Sequence, residues 1–246
     1  MDEIKDFYSK QNKWSGCYTC EISQYNRDRA ANIERLIGPG RKSILELGAG
    51  GGQNAVACAD LGYDVTAVEF VPELAENITQ SARVPRKGAL RVICDDFYKV
   101  EINDTFDIVT YWDGFGIGTD NKQKQLLKRI SGWLKPQGCV LIDVYSPGYF
   151  SKIAGRETQG KGFRRRYEYD ALTGRMIDAW WPQDDKSKAV KQSLRCYSVA
   201  EIKDLLKESA LSLSMVDIGS TLCRKIDESV LNDVPLYTVM LKKQQI

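Results

Sequence analysis

Apolar and polar positions along the chain change their period several times, and those changes divide it. Residues 22–37 carry Ile22, Tyr25, Arg29, Ile33, Leu36 and Ile37 at near-helical spacing, and Gly38-Pro39-Gly40 ends that helix. From residue 43 to 146, short apolar runs alternate with helical patterns. "SILEL", "YDVTAVEF", "ALRVICDD", "FDIVTYWD" and "CVLIDVYSP" read as strands. "GQNAVACADLG", "PELAENITQSAR" and "NKQKQLLKRISGWL" read as helices, the last stopped by "KPQG". That alternation predicts a parallel sheet with crossover helices. After Pro147 the rhythm changes, and "GFRRRYEYD", "GRMIDAWWP" and "KAVKQSLRCYS" read as three strands joined by turn signals. Residues 148–195 are therefore a small antiparallel insertion. Ser198 and Glu201 form a capping box for the next helix, and two strands close the chain. Residues 2–20 mix Phe7, Tyr8, Trp14 and Tyr18 with polar residues in no clear period.

The 246 residues fit one domain, 1–246, with an insertion. A net charge of +2 gives no reason to expect a nucleic-acid partner, and no apolar run approaches the roughly 20 residues of a membrane span. The charged start lacks a signal-peptide core, so a cytoplasmic protein is expected. Seven cysteines are an odd number. Five of them (Cys58, Cys94, Cys139, Cys196, Cys223) sit singly in apolar or element-like contexts and read as buried thiols. Cys17 and Cys20 form a lone C-x-x-C, and with no histidine in the chain no metal site is expected. The same absence excludes any mechanism built on an imidazole.

Gly48, Gly50, Gly51 and Gly52 crowd into the turn between the first strand and its helix. Such a turn lets a ligand approach backbone N–H groups. The dinucleotide fingerprint needs a third glycine where Gln53 stands. The pattern here is instead E-x-G-x-G-x-G from Glu46, and an acid, Glu69, ends the second strand, placed to accept ribose hydroxyls.

From Lys42 to about Tyr145 the chain resembles the class I S-adenosylmethionine-dependent methyltransferases. The resemblance rests on that loop, on Glu69, on "CDDF", on "FDIVTYWDGFG" and on "LKPQGCVLID". It implies a Rossmann-like, doubly wound α/β fold: a seven-stranded sheet in the order 3-2-1-4-5-7-6, strand 7 antiparallel. It also implies S-adenosyl-L-methionine as cofactor and S-adenosyl-L-homocysteine as product. Glu46, Gly48, Ala49, Gly50 and Gly52 would wrap the methionine moiety, and Glu69 with Phe70 would hold the ribose end. Asp96, with Asp95 as the alternative, would meet the adenine amine and Phe97 its ring. Residues 1–38 would form a helical, lid-like segment, with Tyr8, Trp14 and Tyr18 among the residues facing the substrate.

Ligands of open α/β sheets bind beyond the carboxyl ends of the strands, which singles out Tyr111, Trp112, Asp113 and Tyr145. Aromatic faces suit a cationic sulfonium, so Trp112 joins the cofactor residues, while Tyr111 and Asp113 are the catalytic candidates. Tyr145, and Arg166 from the "RRR" run, are candidates for binding the acceptor. Of Trp180 and Trp181, one should face in and one out. The expected activity is methyl transfer to a small-molecule acceptor, by positioning more than by acid–base help. RNA or protein methylation on the same fold, and a non-catalytic binding protein, are the alternatives.

Overall fold

A computed structural model describes residues 2–40, 42–219, 221–223 and 228–244, with the backbone alone at 2, 221–223 and 228. The chain opens with α1 (Asp2–Ser15) and α2 (Gln24–Ile37), the latter started by a reciprocal capping box between Ser23 and Asn26. Then follow β1 (Ser43–Leu47), α3 (Gln53–Leu61), β2 (Asp64–Glu69), α4 (Pro72–Ala82), β3 (Leu90–Cys94), β4 (Phe106–Tyr111), α5 (Asp120–Trp133) and β5 (Leu134–Tyr145). After α6 (Pro147–Lys152) come β6 (Glu157–Gly160), β7 (Phe163–Asp170), β8 (Arg175–Pro182) and β9 (Val190–Arg195). The chain ends with α7 (Val199–Leu206), β10 (Leu211–Ile218), β11 (Thr221–Cys223) and β12 (Leu236–Lys243).

The large sheet runs β3-β2-β1-β4-β5-β12-β10, with β12 antiparallel to β5 and β11 added at the far edge. This is the doubly wound order expected, extended by one short strand. Its inner strands are nearly continuous apolar runs because both faces are covered. On one face α5 and α7 bury Leu126, Leu127, Ile130, Ile202 and Leu205; on the other lie Ala30 and Ile33 of α2, the alanines of α3, and Ile78 of α4.

Residues 2–15, which have no clear period in the sequence, form one regular helix that buries Phe7 and Gln11. Two expectations need correction. The "KPQG" run does not precede β5 but lies within it. The register between β4 and β5 shifts between Phe106 and Ile108, and that irregularity absorbs Pro136 and Gly138. The insertion sheet has four strands, in the order β6-β7-β8-β9, since Glu157–Gly160 pairs with the outer edge of β7.

Both Trp180 and Trp181 are buried, so β8 is covered on its two faces. Of the lone cysteines, Cys58, Cys139 and Cys196 are buried but Cys94 is exposed, and the Cys223 side chain lies outside the described residues. Among the described residues no helix is long and apolar enough to cross a membrane, and no acidic or cysteine cluster is placed to hold a metal ion.

Candidate active site

The turn after β1 is left-handed at Gly48, Gly50 and Gly52. The pressure on it comes partly from the protein itself. A Cβ on Gly51 would lie 1.4 Å from the carbonyl oxygen of Tyr18, and one on Gly52 would lie 2.7 Å from Ile78 of α4. Residues 16–20, the strap that follows α1, therefore lie directly on the glycine turn. Gln53, standing where a dinucleotide fingerprint has glycine, donates from Nε2 to the Cys17 carbonyl at 3.1 Å and so fastens the strap. Ala49 is buried in the core beside the turn.

Between strap and sheet lies a cavity of about 80 Å³, walled by Gly48 and Gly50, Glu69 and Phe70, Leu74, Phe97, and the run Tyr111 to Gly114. Tyr8 of α1 and Tyr18 of the strap close it, their rings 6.0 Å apart, and the Tyr18 hydroxyl donates to Gln11 at 2.7 Å. Glu69 accepts from the Gly50 amide at 2.7 Å and the Val71 amide at 2.8 Å, so it holds the turn to β2. Burial lifts its carboxyl to about 7 against those two bonds. Glu46 is deeper still: its Oε2 is buried without a hydrogen-bond partner, and desolvation lifts the carboxyl to about 8 despite the pull of Arg29.

Asp113 sits just past β4 with φ 55°, a conformation that Asp and Asn tolerate and bulkier residues resist. Its Oδ1 accepts a short hydrogen bond from the Tyr145 hydroxyl, which also reaches its carbonyl at 3.1 Å. Asp113 keeps access to solvent, yet the surrounding protein desolvates the carboxylate enough to raise its proton affinity. The Tyr145 bond opposes that rise, Asp143 adds to it, and Arg29 and Arg165 oppose it. Tyr111 also forms wall, but its hydroxyl donates to the Gly114 carbonyl at 2.8 Å and burial pushes the phenol well above its ordinary value. The Tyr111 hydroxyl is thus engaged with the turn after β4, and its ring lies beside Gly48 in the cavity wall. Beneath Trp112 lies Arg29, its guanidinium 4.6 Å from the indole centre and 2.6 Å from Asp143.

Other expected residues fall elsewhere. Gly52 packs on Ile78 and starts α3 rather than lining the cavity. Asp96 spends Oδ1 on the Tyr98 amide at 2.9 Å, beside the Phe97 wall. Trp14 does not line the cavity; its carbonyl stands against Gly162 of the insertion. Arg166 points away, toward Glu168 at 3.5 Å. Its neighbour Arg165 is the inward one, held by Asp178 through two bonds of 2.6 and 2.7 Å. The alternation Phe163, Arg165, Tyr167 could have shown this, since the aromatic parity marks the covered face.

Residues 44–138 match the family described as a methyltransferase domain, and the sheet order above is that of the Rossmann-like methyltransferase fold. Among curated proteins, 117 residues are 30% identical to the cypemycin N-terminal methyltransferase of a Streptomyces species; the match spans 46% of each chain, about half of that relative's length. The CcbJ methyltransferase of Streptomyces caelestis superposes with a TM-score of 0.74 at 18% identity, over 98% of this chain and 96% of that one. CalS10, an amino pentose methyltransferase from Micromonospora echinaspora solved with S-adenosylmethionine bound, gives 0.61 at 18% identity, over 89% and 92%.

Proposed function

We propose that the protein transfers a methyl group from S-adenosylmethionine to an amine of a small-molecule acceptor, with Asp113 taking the amine's proton. The observation that carries this reading is the Asp113–Tyr145 pair at the mouth of an aromatic cavity, directly behind the glycine turn.

The site suits the cofactor chemically. Glu46 presents a buried, unpartnered oxygen, which an ammonium group would satisfy. Glu69, with two backbone bonds made, retains lone pairs for ribose hydroxyls, and Phe70, Leu74 and Phe97 offer an apolar wall for a base. The faces of Tyr111 and Trp112 suit a sulfonium. When bound, the cofactor supplies an activated methyl carbon on a positively charged sulfur. The protein's tasks are then to align the acceptor, exclude water and remove one proton. Asp113 does the last: it accepts a proton from the acceptor's ammonium, freeing the nitrogen lone pair, while Tyr145 holds the carboxylate in place.

Local charges favour an acceptor that arrives as a cation. Arg29 is committed to Asp143 and Arg165 to Asp178, and among the described residues the Asp113 carboxylate has no ion-pair partner. The names of an N-terminal methyltransferase and an amino pentose methyltransferase among the similar proteins agree with an amine acceptor.

Asp113→Asn tests this, because asparagine keeps the left-handed backbone and the hydrogen bond from Tyr145 while losing the base. Labelled-methyl transfer to a panel of amino sugars and peptide amines should fall about 10²–10⁴-fold, with calorimetric affinity for S-adenosylhomocysteine unchanged. Wild-type turnover by the variant would remove Asp113 from the chemistry.

A further inference from the structure

Two buried oxygens at the centre of the large sheet have no hydrogen-bond partner among the described residues: Oε2 of Glu46 on β1 and Oγ1 of Thr110 on β4. The two residues stand directly opposite each other in the parallel pairing of these strands. Their side chains point the same way, because Ile44 and Ile108, two positions before each, both pack in the cluster under α2 and α3. Glu46 is 2% exposed and Thr110 not at all. Buried polar side chains are nearly always bonded, so two orphans side by side point to one ligand shared between them.

The neighbouring groups do not serve either oxygen. Arg29 of α2 acts on Glu46 through its charge but spends its hydrogen bonds on Asp143 and the Tyr25 hydroxyl. On the other side of β4, Thr110 is paired with Leu141 of β5, whose side chain has nothing polar to offer. Two residues further along, both strands reach the cavity: Gly48 follows Glu46, Trp112 follows Thr110, and both are in its wall.

We propose that Thr110 is a binding residue for the cofactor: with Glu46 it holds the ammonium group of the amino-acid tail, each residue offering one oxygen to an N–H. This rests on the reading of the cavity as the S-adenosylmethionine site. An ammonium group has three protons and accepts nothing, which suits two unpartnered oxygens on neighbouring strands. The threonine hydroxyl accepts from the ammonium and still has a proton of its own, which can turn to a lone pair of the ionised Glu46. The ligand's charge is then met by one carboxylate and one neutral dipole, with no second acid to repel the first. Valine has nearly the shape of threonine and suits a strand equally well, so the packing of β4 does not itself call for the hydroxyl.

The test changes the ligand as well as the protein. Calorimetry compares S-adenosylhomocysteine with its deamino analogue, in which hydrogen replaces the ammonium group. Thr110→Val should weaken S-adenosylhomocysteine about tenfold and leave the analogue's affinity as in wild type. Thr110→Ser, which keeps the hydroxyl, should bind both ligands like wild type. A disturbed sheet or turn would weaken both ligands alike, since they share the nucleoside. Equal loss for the two overturns the proposal. So does unchanged S-adenosylhomocysteine affinity in Thr110→Val, which would leave an ordered water as the partner of both oxygens. If Thr110→Val does not fold, Thr110→Cys, whose thiol is only a weak acceptor, is judged by the same contrast. Failure of the wild type to bind S-adenosylhomocysteine would instead sink the methyltransferase reading, a result visible before any variant is made.

Discussion

Glu46 shows how one buried atom couples ligand binding to pH. Its carboxyl, lifted to about 8 by desolvation, holds a proton in the ligand-free fold that the unfolded chain releases near the ordinary value of 4.5. A group whose affinity for protons rises on folding stabilises the fold below its unfolded value. That contribution is lost as pH climbs through the folded one. The melting temperature of the ligand-free protein should therefore fall between about pH 5 and 8, and Glu46→Gln should flatten that slope. If S-adenosylmethionine binds as proposed, the trend should reverse in its presence, because an ammonium partner requires the ionised form. Stabilisation by ligand, read by thermal shift, should be larger at pH 8 than at pH 6 in wild type and nearly pH-independent in Glu46→Gln.

At the scale of elements, α2 and the strap are both tied to the start of α3 beside the site. Helix α2 is tied to the sheet by Arg29 to Asp143, which also accepts from Thr238 at 2.7 Å, and by Asn32 and Arg35 to Asp217. Truncating one partner leaves the other charge buried. Arg29→Met should cost about 3–5 kcal/mol of unfolding free energy in urea titrations, with part recovered by adding Asp143→Leu. The strap is held by backbone contact, so its weak point is Gly51. Gly51→Ala puts a methyl where the Tyr18 carbonyl stands, and residues 16–20 should then be cut faster in limited proteolysis while α3 stays protected.

For the whole molecule, the cavity volume bears on how the proposed cofactor would enter. About 80 Å³ is well below the roughly 300–1,000 Å³ of typical ligand sites. Tyr18 and Tyr8 fill the difference. On the proposed function, a nucleoside-sized ligand would require α1 and the strap to swing outward, and among the contacts that resist this are the Gln53 bonds and the docking on Gly51. Gln53→Ala should accelerate both association and dissociation of S-adenosylhomocysteine in stopped-flow fluorescence, with a smaller change in their ratio. Equal rates in variant and wild type would mean that the strap is not the gate.

The strand–helix alternation, the glycine turn, Glu69 and the Ser198–Glu201 box were legible in the sequence because each is a local signal: a period, a backbone requirement or a cap a few residues long. Those signals were enough to specify the sheet's inner strands and the neighbourhood of the site. They could not show that Tyr18 presses on Gly51, that Arg165 pairs with Asp178, or that Tyr111 spends its hydroxyl on Gly114. Each of these joins residues whose relation depends on which neighbour covers them, or on which way a turn bends. Local spacing carries no information about that. Local chemistry in the chain marks the glycine turn and Glu69; three-dimensional packing decides that Tyr8 and Tyr18 close the cavity beside them and that Glu69 is bonded to two backbone amides, because those contacts join residues far apart in sequence.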